Sequence, residues 1–278
     1  MTLGEVLKDR GLSGAAMKKA LQTGKVWVRG VPTADAGRDV APAEVEIRER
    51  APRIVVGRDP AVIYRDDHLA VVWKPSGLLS VAAPKRGSED NLVSLLARVF
   101  GEARPVHRLD EPTSGLMMVA LTELAQNAFK RLLEQRTVER RYLALVHGHF
   151  PAAWTRIDAP LGRHEHTGRR AVVRDGLASV THARGIENLP RGVCLVEARL
   201  ESGRTHQVRI HLAHTGHPVL ADPLYGRRGD RSLRRVALHA WRLGFDHPLR
   251  DGHLEFEAVL ADDLEKHRRW LIREHKKR

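Results

Sequence analysis

The sequence is poor in cysteine, in long apolar runs and in acid, and each shortage narrows what the chain can be. Its single cysteine, Cys194, rules out an intramolecular disulfide and a cysteine-cluster zinc site by count. It lies in Val193-Cys194-Leu195-Val196, an apolar strand-like run, and reads as a small core residue. The N-terminus has no apolar core of signal-peptide length, and no stretch approaches the roughly 20 apolar residues of a membrane span. The expectation is therefore a cytoplasmic protein with no membrane partner. No internal repeat or low-complexity segment is visible. Acid is outnumbered, with 34 Asp and Glu against 47 Lys and Arg, a net charge of +13 and a pI near 10.5. Such a balance points to a polyanion, nucleic acid first, although a basic proteome or plain solubility would leave the same mark.

What is present suffices for one large domain and a small one: 278 residues, 42% hydrophobic and 29% charged. Leu3, Val6 and Leu7 recur at helical spacing. Ser13 can cap a second helix, Gly14 to Gln22, with an apolar face of Ala16, Met17, Ala20 and Leu21. Strands are predicted at Lys25 to Val28, after which Arg29-Gly30 turns the chain, and at Val45 to Ile47. Residues 48 to 60 have the composition of a linker, so the expected division is a small domain, 1–52, and a large one, 53–278.

The large domain opens on a predicted hairpin, Ala61 to Tyr64 and Leu69 to Trp73, followed by the bend Lys74-Pro75-Ser76-Gly77-Leu78-Leu79. Residues 84 to 91 are polar and expected to be mobile. Leu92, Leu95, Leu96 and Val99 fit one helix face, and Leu124, Ala128 and Leu132, with Phe129 as a further candidate, line another helix, Glu123 to Gln135. Val138 to Gly148 reads as a strand. Residues 158 to 176 read as an exposed basic loop or hairpin. Strands are predicted at Val236 to Trp241 and Leu254 to Val259, and a basic helix at Asp262 to Lys277. His164-Glu165-His166 and the His211, His214, His217 series invite a metal reading. Neither brings an organised set of further ligands, so no metal is expected.

The chain is organised around His107-Arg108-Leu109-Asp110-Glu111-Pro112-Thr113-Ser114-Gly115-Leu116. Pro112 fixes its own φ, Gly115 can take a positive one, and the apolar run Leu116 to Leu121 reads as a buried strand. Asp110 is thus held at a loop between strands. There it can act as a nucleophile, as a general base or as an ordinary turn cap, and from these residues alone the cap is the plainest reading.

The decapeptide resembles the signature of RNA pseudouridine synthases of the RluA family. Two further segments resemble the same family: the strand containing Tyr142, and Gly203-Arg204-Thr205-His206-Gln207-Val208-Arg209 with its continuation through Gly226. The resemblance implies an α+β fold with a central, mostly antiparallel sheet and flanking helices around an active-site cleft. It implies that Asp110 is the nucleophile, that Tyr142 lies under the target base and that Arg209 pairs with Asp110. Arg108 is expected to enter the space vacated by a flipped-out nucleotide, its bland alternative being a salt bridge. His107, Arg204 and Thr205 are expected to face RNA, the last two as a phosphate site at a helix N-terminus. Lys74 either faces RNA or is a structural turn lysine. Residues 1–52 resemble a small ribosomal-protein-like α/β RNA-binding domain, mostly through Lys18 to Gly30. They lack its usual Arg-Leu-Asp start and Ser-Arg pair, and Lys18, Lys19, Lys25 and Arg29 are the candidate substitutes for phosphate contact.

The reaction implied is isomerisation of uridine in structured RNA, ribosomal RNA favoured and transfer RNA possible. It needs no redox change or external group, and hence no cofactor. The carboxylate would attack either the anomeric carbon, as in retaining glycosidases, or the uracil ring. Extruding the nucleotide costs a few kcal/mol. A monomer is expected. The alternatives are a catalytically silent RNA-binding or ribosome-assembly factor on the same scaffold, against which Asp110, Tyr142 and Arg209 together argue, and a metal-dependent hydrolase using the histidines.

Overall fold

The computed structural model describes every residue except 52, 53, 55, 57, 84–89, 277 and 278. The centre of the expected linker and most of the polar stretch 84 to 91 lie outside the described residues. The N-terminal part contains α1 (Leu3–Asp9), α2 (Gly14–Gln22), β1 (Val26–Val28), β2 (Val31–Pro32) and β3 (Val45–Ile47). A reciprocal capping box between Thr2 and Glu5 starts α1. Ser13 occupies the cap position of α2 but makes no capping hydrogen bond. The three strands pair in the order β2-β1-β3, and Leu3, Val6, Leu7, Leu21, Val26, Val28, Val40 and Val45 pack into one core. Ala16, expected on the buried face of α2, is exposed.

Ten strands form the main sheet. They come from β4 (Ala61–Arg65), β5 (Leu69–Lys74), β6 (Arg104–Pro105), β7 (Ser114–Ala120), β8 (Glu139–His147), β9 (Thr155–Asp158), β12 (Val180–Leu189), β13 (Val193–Leu200), β14 (Leu238–Asp246) and β15 (His253–Glu257). The path runs β4-β5-β7-β14-β8-β13-β12-β9, with β15 on β14 and β6 on β7. Between β9 and β12, the short strands β10 (Leu161–Arg163) and β11 (Arg170–Val172) form a separate hairpin in the predicted basic stretch. Four further helices are α3 (Leu92–Phe100), α4 (Glu123–Glu134), α5 (Gln207–His214) and α6 (Asp262–Lys276).

At β5 and β7 the sheet is buried on both faces, which is why these strands read as nearly unbroken apolar runs. Ala70, Val72, Met117 and Val119 pack into one core with Leu143, Leu145 and Val196, whereas Leu69, Val71, Trp73, Leu116 and Met118 pack into a second with Phe129 and Phe245. Cys194 is buried in the first core. Two helix faces differ from expectation. Leu124 is 61% exposed and Val99 73% exposed. On α4 the buried stripe is Ala125, Ala128 and Phe129: the expected Ala128 and Phe129 are buried, Leu132 is half-buried, and Ala125 takes the place expected of Leu124.

All main-sheet pairings are antiparallel except one. β7 and β14 pair in parallel, with Ser114 opposite His239 and Gly115 opposite Ala240. Gly115 has φ +120°, and a Cβ there would stand 2.1 Å from the carbonyl oxygen of Ala240. A residue without a side chain is thus required where the two halves of the sheet join. The buried Ser114 hydroxyl and His239 Nδ1 hydrogen-bond across this seam at 2.8 Å.

The N-terminal part packs onto the main sheet and α6. Trp27 and Val31 join the second core. Arg38 bonds the carboxylate of Asp262 at 2.9 Å, and Arg269 pairs with Asp35. Among the described residues no helix is long and apolar enough to cross a membrane.

Candidate active site

Residues 107–113 form the loop that leads into β7 at the parallel seam. The loop is tied down from below. Ser80 Oγ donates to the Leu109 carbonyl at 2.7 Å and accepts from the Leu109 amide at 3.0 Å. Ser76 Oγ donates to the Pro112 carbonyl at 2.9 Å, and the Gly77 amide donates to the Glu111 carbonyl at 2.8 Å. The Thr113 amide closes a turn onto the Asp110 carbonyl at 3.0 Å.

Lys74 belongs to this support. Its side chain is fully buried, and Nζ donates to the carbonyls of Pro75, Leu78 and Glu111 at 2.9, 2.7 and 3.3 Å. The expectation that it faces RNA is corrected: the turn reading holds, because the ammonium is spent on backbone carbonyls beneath the loop. Burial, and then the charge of Arg235, bring its pKa down to about 7 against the opposing pull of Asp110 and Glu111.

Above the loop, Asp110 meets a second carboxylate through one guanidinium. Arg209, on α5 and 2% exposed, donates from Nε and Nη2 to the two oxygens of Asp222 at 2.7 and 2.8 Å. Its remaining nitrogen, Nη1, reaches Asp110 Oδ2 at 3.1 Å. Asp222 also accepts the amides of Leu224 and Tyr225. Burial pushes the Asp222 carboxyl upward, but Arg209 and these amides outweigh it and hold it below the usual range. Burial likewise works against the Arg209 charge and is overcome by Asp222 and Asp110.

His206 closes the circuit. Its Nδ1 hydrogen-bonds the Tyr225 hydroxyl at 2.9 Å, and its Nε2 stands 3.8 Å from Asp110 Oδ1. The Tyr225 ring lies under the Arg209 guanidinium, 5.2 Å from its centroid. His206 is left-handed, with φ +59°, an uncommon conformation for a residue with a side chain. Burial lowers its pKa despite the neighbouring Asp110. It also occupies the N-terminal cap of α5, one residue after Thr205, the cap that the sequence suggests. Gly203, Arg204 and Thr205 therefore precede the helix, and the Arg204 amide is already taken by Gln207 Oε1 at 3.0 Å. The predicted helix-terminus phosphate site is corrected accordingly.

A cleft of about 500 Å³ opens beside these groups. Asp110, Tyr142, Arg140 and Gly203 line it, and Arg108, Lys130, Arg136 and Arg204 give it a basic rim. Tyr142 is buried on β8, which pushes its phenol pKa upward. Arg108 is exposed and forms no ion pair with a described residue, so the bland salt-bridge alternative does not hold. His107 lines the cleft too, but its Nε2 accepts the Met118 amide at 3.0 Å; burial, with help from Arg140, lowers its pKa to about 3. It is a neutral structural acceptor, which corrects its expected role in contacting RNA.

The N-terminal cations do not line the cleft. Lys18 and Lys19 are exposed on α2. Lys25 Nζ is bound to the carbonyls of Glu49 and Ala51, and Arg29 pairs with Glu44. These contacts compete with phosphate and remove Lys25 and Arg29 from the set of free cations. His211 is committed to Thr181 and the Ala159 carbonyl. Among the described residues no cluster of three or more His, Cys, Asp or Glu could hold a metal ion.

Sequence reading assigned no role to Asp222, His206, Tyr225 or Arg140. His206, Asp222 and Tyr225 lie inside the third recognised segment or its continuation, and Arg140 is two residues before Tyr142 on the same strand, so a signal existed for all four. Within that segment nothing in the local pattern distinguishes Asp222 as an arginine clamp from a turn acid.

The profile of the family described as RNA pseudouridylate synthase matches residues 68–214. The chain is 38% identical over 226 residues to the ribosomal large subunit pseudouridine synthase D of Zymomonas mobilis, covering 73% of this chain and 70% of that protein. It is 40% identical over 215 residues to an uncharacterized RNA pseudouridine synthase of Bacillus subtilis, covering 74% and 71%. Among solved structures, human RNA pseudouridylate synthase domain containing 1 superposes with a TM-score of 0.63 at 28% identity, over 77% of this chain and 90% of that one.

Proposed function

The chain belongs to the RNA pseudouridylate synthase family and is an RNA-modifying isomerase, and on that premise we propose that Asp110 is the nucleophile that rearranges a flipped-out uridine in ribosomal RNA. The observation that carries this is the Arg209 clamp: one guanidinium fixed by Asp222 presents a single N–H to Asp110 at 3.1 Å. A carboxylate so held is aimed at the cleft, and it needs no reorganisation when the nucleotide arrives.

The isomerisation breaks the bond from the ribose C1′ to uracil N1 and makes one from C1′ to C5. The proton lost from C5 is balanced by one gained at N1, so no other reactant enters. In our reading the base rests on Tyr142, where stacking contributes about 1–3 kcal/mol. Arg108, exposed and unpaired at the rim, fills the gap the nucleotide leaves. The half-closed cleft keeps the detached uracil in place between bond breaking and bond making.

The large-subunit name of the Zymomonas relative favours ribosomal RNA over transfer RNA. We assign residues 1–52 an accessory role in holding RNA, with Lys18 and Lys19 as the free cations, and residues 53–278 the chemistry.

The test is tritium release from RNA labelled at C5 of uridine. Wild type should release it, and Asp110→Asn should release none while still retaining RNA on a filter. Persistent release from Asp110→Asn would remove Asp110 from the reaction. Mapping pseudouridines in ribosomal and transfer RNA from cells with and without the protein identifies the target; changes confined to transfer RNA would reverse the ribosomal assignment.

A further inference from the structure

Arg140 has no part in the reaction just proposed, yet it is the most anomalous cation in the cleft. It is 7% exposed, and its Nε has no hydrogen-bond acceptor among the described residues. No described carboxylate or carbonyl pairs with the rest of its guanidinium. The other buried arginines are treated differently. Arg209 is clamped by Asp222, Arg38 pairs with Asp262, and Arg235 bonds Asp263 at 2.7 Å. Even the adjacent Arg141 is paired, with Glu139 and Glu197. A buried guanidinium without a counter-charge among the described residues is costly, and an anion entering the cleft would offset that cost.

The surroundings are shaped for this side chain. Arg140 is two residues from Tyr142 on β8, so both project from one face of the strand into the cleft. A Cβ on Gly203 would stand 2.5 Å from Arg140 Nη1, so the guanidinium occupies the space a side chain would take. The titratable groups facing it, His107, Tyr142 and Asp110, leave the position cationic: His107 is uncharged, and Asp110 is bonded to Arg209.

We propose that Arg140 binds a backbone phosphate of the RNA immediately beside the target nucleotide. The planar fork of a guanidinium matches two phosphate oxygens at once, and the cleft continues outward along Arg108 and Arg204, past Glu134 and an Arg136 paired with Glu201, a lining in which cations outnumber acids. The phosphate supplies the counter-charge that no described residue provides, and it fixes the ribose on that side of Asp110. The site then admits a uridine within a polynucleotide and rejects a free nucleoside. This rests on the isomerase reading above.

The test uses an RNA oligonucleotide carrying the mapped target uridine, with each flanking phosphate replaced in turn by an uncharged methylphosphonate. One replacement should raise the wild-type KM by about tenfold or more, with kcat far less affected. The same replacement should change the KM of Arg140→Met by less than about twofold, because the contact is already gone, with Arg140→Lys in between. If neither methylphosphonate raises the wild-type KM, the proposal fails whatever the variants do. It fails equally if Arg140→Met, shown folded by melting, loses the same factor again on the modified oligonucleotide. Tritium release by wild type from the parent oligonucleotide separates the two levels. If release is seen and the phosphate effect is not, only this inference falls; if no release is seen, the isomerase reading falls first.

Discussion

Arg209 and Asp222 are joined by two parallel hydrogen bonds at 2.7 and 2.8 Å, leaving one guanidinium nitrogen for Asp110. The pair is inaccessible to solvent, so Asp222 acts on the reaction only through the arginine it holds. Asp222→Asn should therefore lower kcat by about a hundredfold, the scale of a small misplacement at a reacting group, with little change in KM for RNA. Breaking a buried pair should also cost about 3–5 kcal/mol of stability. Steady-state tritium release together with urea melts reads both. An increase in KM without a fall in kcat would mean that Arg209 serves binding instead.

Lys74 beneath the catalytic loop gives the opposite kind of test. Lys74→Met removes a buried ammonium but leaves the carbonyls of Pro75, Leu78 and Glu111 without that donor, so a loss of about 1–3 kcal/mol is expected. Turnover should fall, because the loop carrying Asp110 loses its tether. The slope of log affinity against log salt should stay at the wild-type value; a phosphate contact would lower it by about one. Filter binding at several salt concentrations decides.

Gly115 sits where β7 meets β14. Gly115→Ala brings a methyl group into the Ala240 backbone at a positive φ, and neither strand can retreat from the middle of the sheet. A loss of about 3 kcal/mol or more is expected, at the upper end of ordinary substitutions. Denaturant melts of the variant check it, and a loss under about 1 kcal/mol would show that the seam is pliable.

His239 makes stability depend on pH. Burial is the main cause that lowers its pKa from 6.5 to about 3 in the folded chain. Between those values the unfolded chain binds the extra proton, so stability present above pH 6.5 is lost as the pH falls towards 3, by up to about 1.4 kcal/mol per pH unit. His239→Gln can keep the bond to Ser114 and should flatten the decline in urea melts between pH 7.5 and 5. An unchanged slope would place the acid sensitivity elsewhere, His107 being the next candidate.

The legible parts of this site were those carried by contiguous residues. The decapeptide announced a restrained carboxylate, and the segment around Arg209 announced its cation, but their contact across 99 residues of chain came from resemblance and not from spacing. Tyr142 is an ordinary strand tyrosine until it is seen in the cleft. Lys74 was undecidable because a turn lysine and a phosphate lysine share one local pattern, and only burial separates them. The missed start of α5 has a physical cause: His206 takes a left-handed conformation that no propensity favours, and Thr205 is left exposed outside the helix. Val99 and Leu124 are apolar residues at positions compatible with a buried face, and which side of a helix turns inward is settled by tertiary packing. Arg140 could be placed beside Tyr142 by strand alternation, but its want of a partner is a property of the assembled cleft.

The parallel seam also bears on how the chain assembles. Ser114 cannot meet His239 until a stretch of 125 residues has folded back on itself. Contacts that close so long a loop form slowly, because the entropy of closure is lost before the pairing rewards it. The strand that the Asp110 loop leads into therefore gains its parallel neighbour through one of the most distant pairings in the sheet.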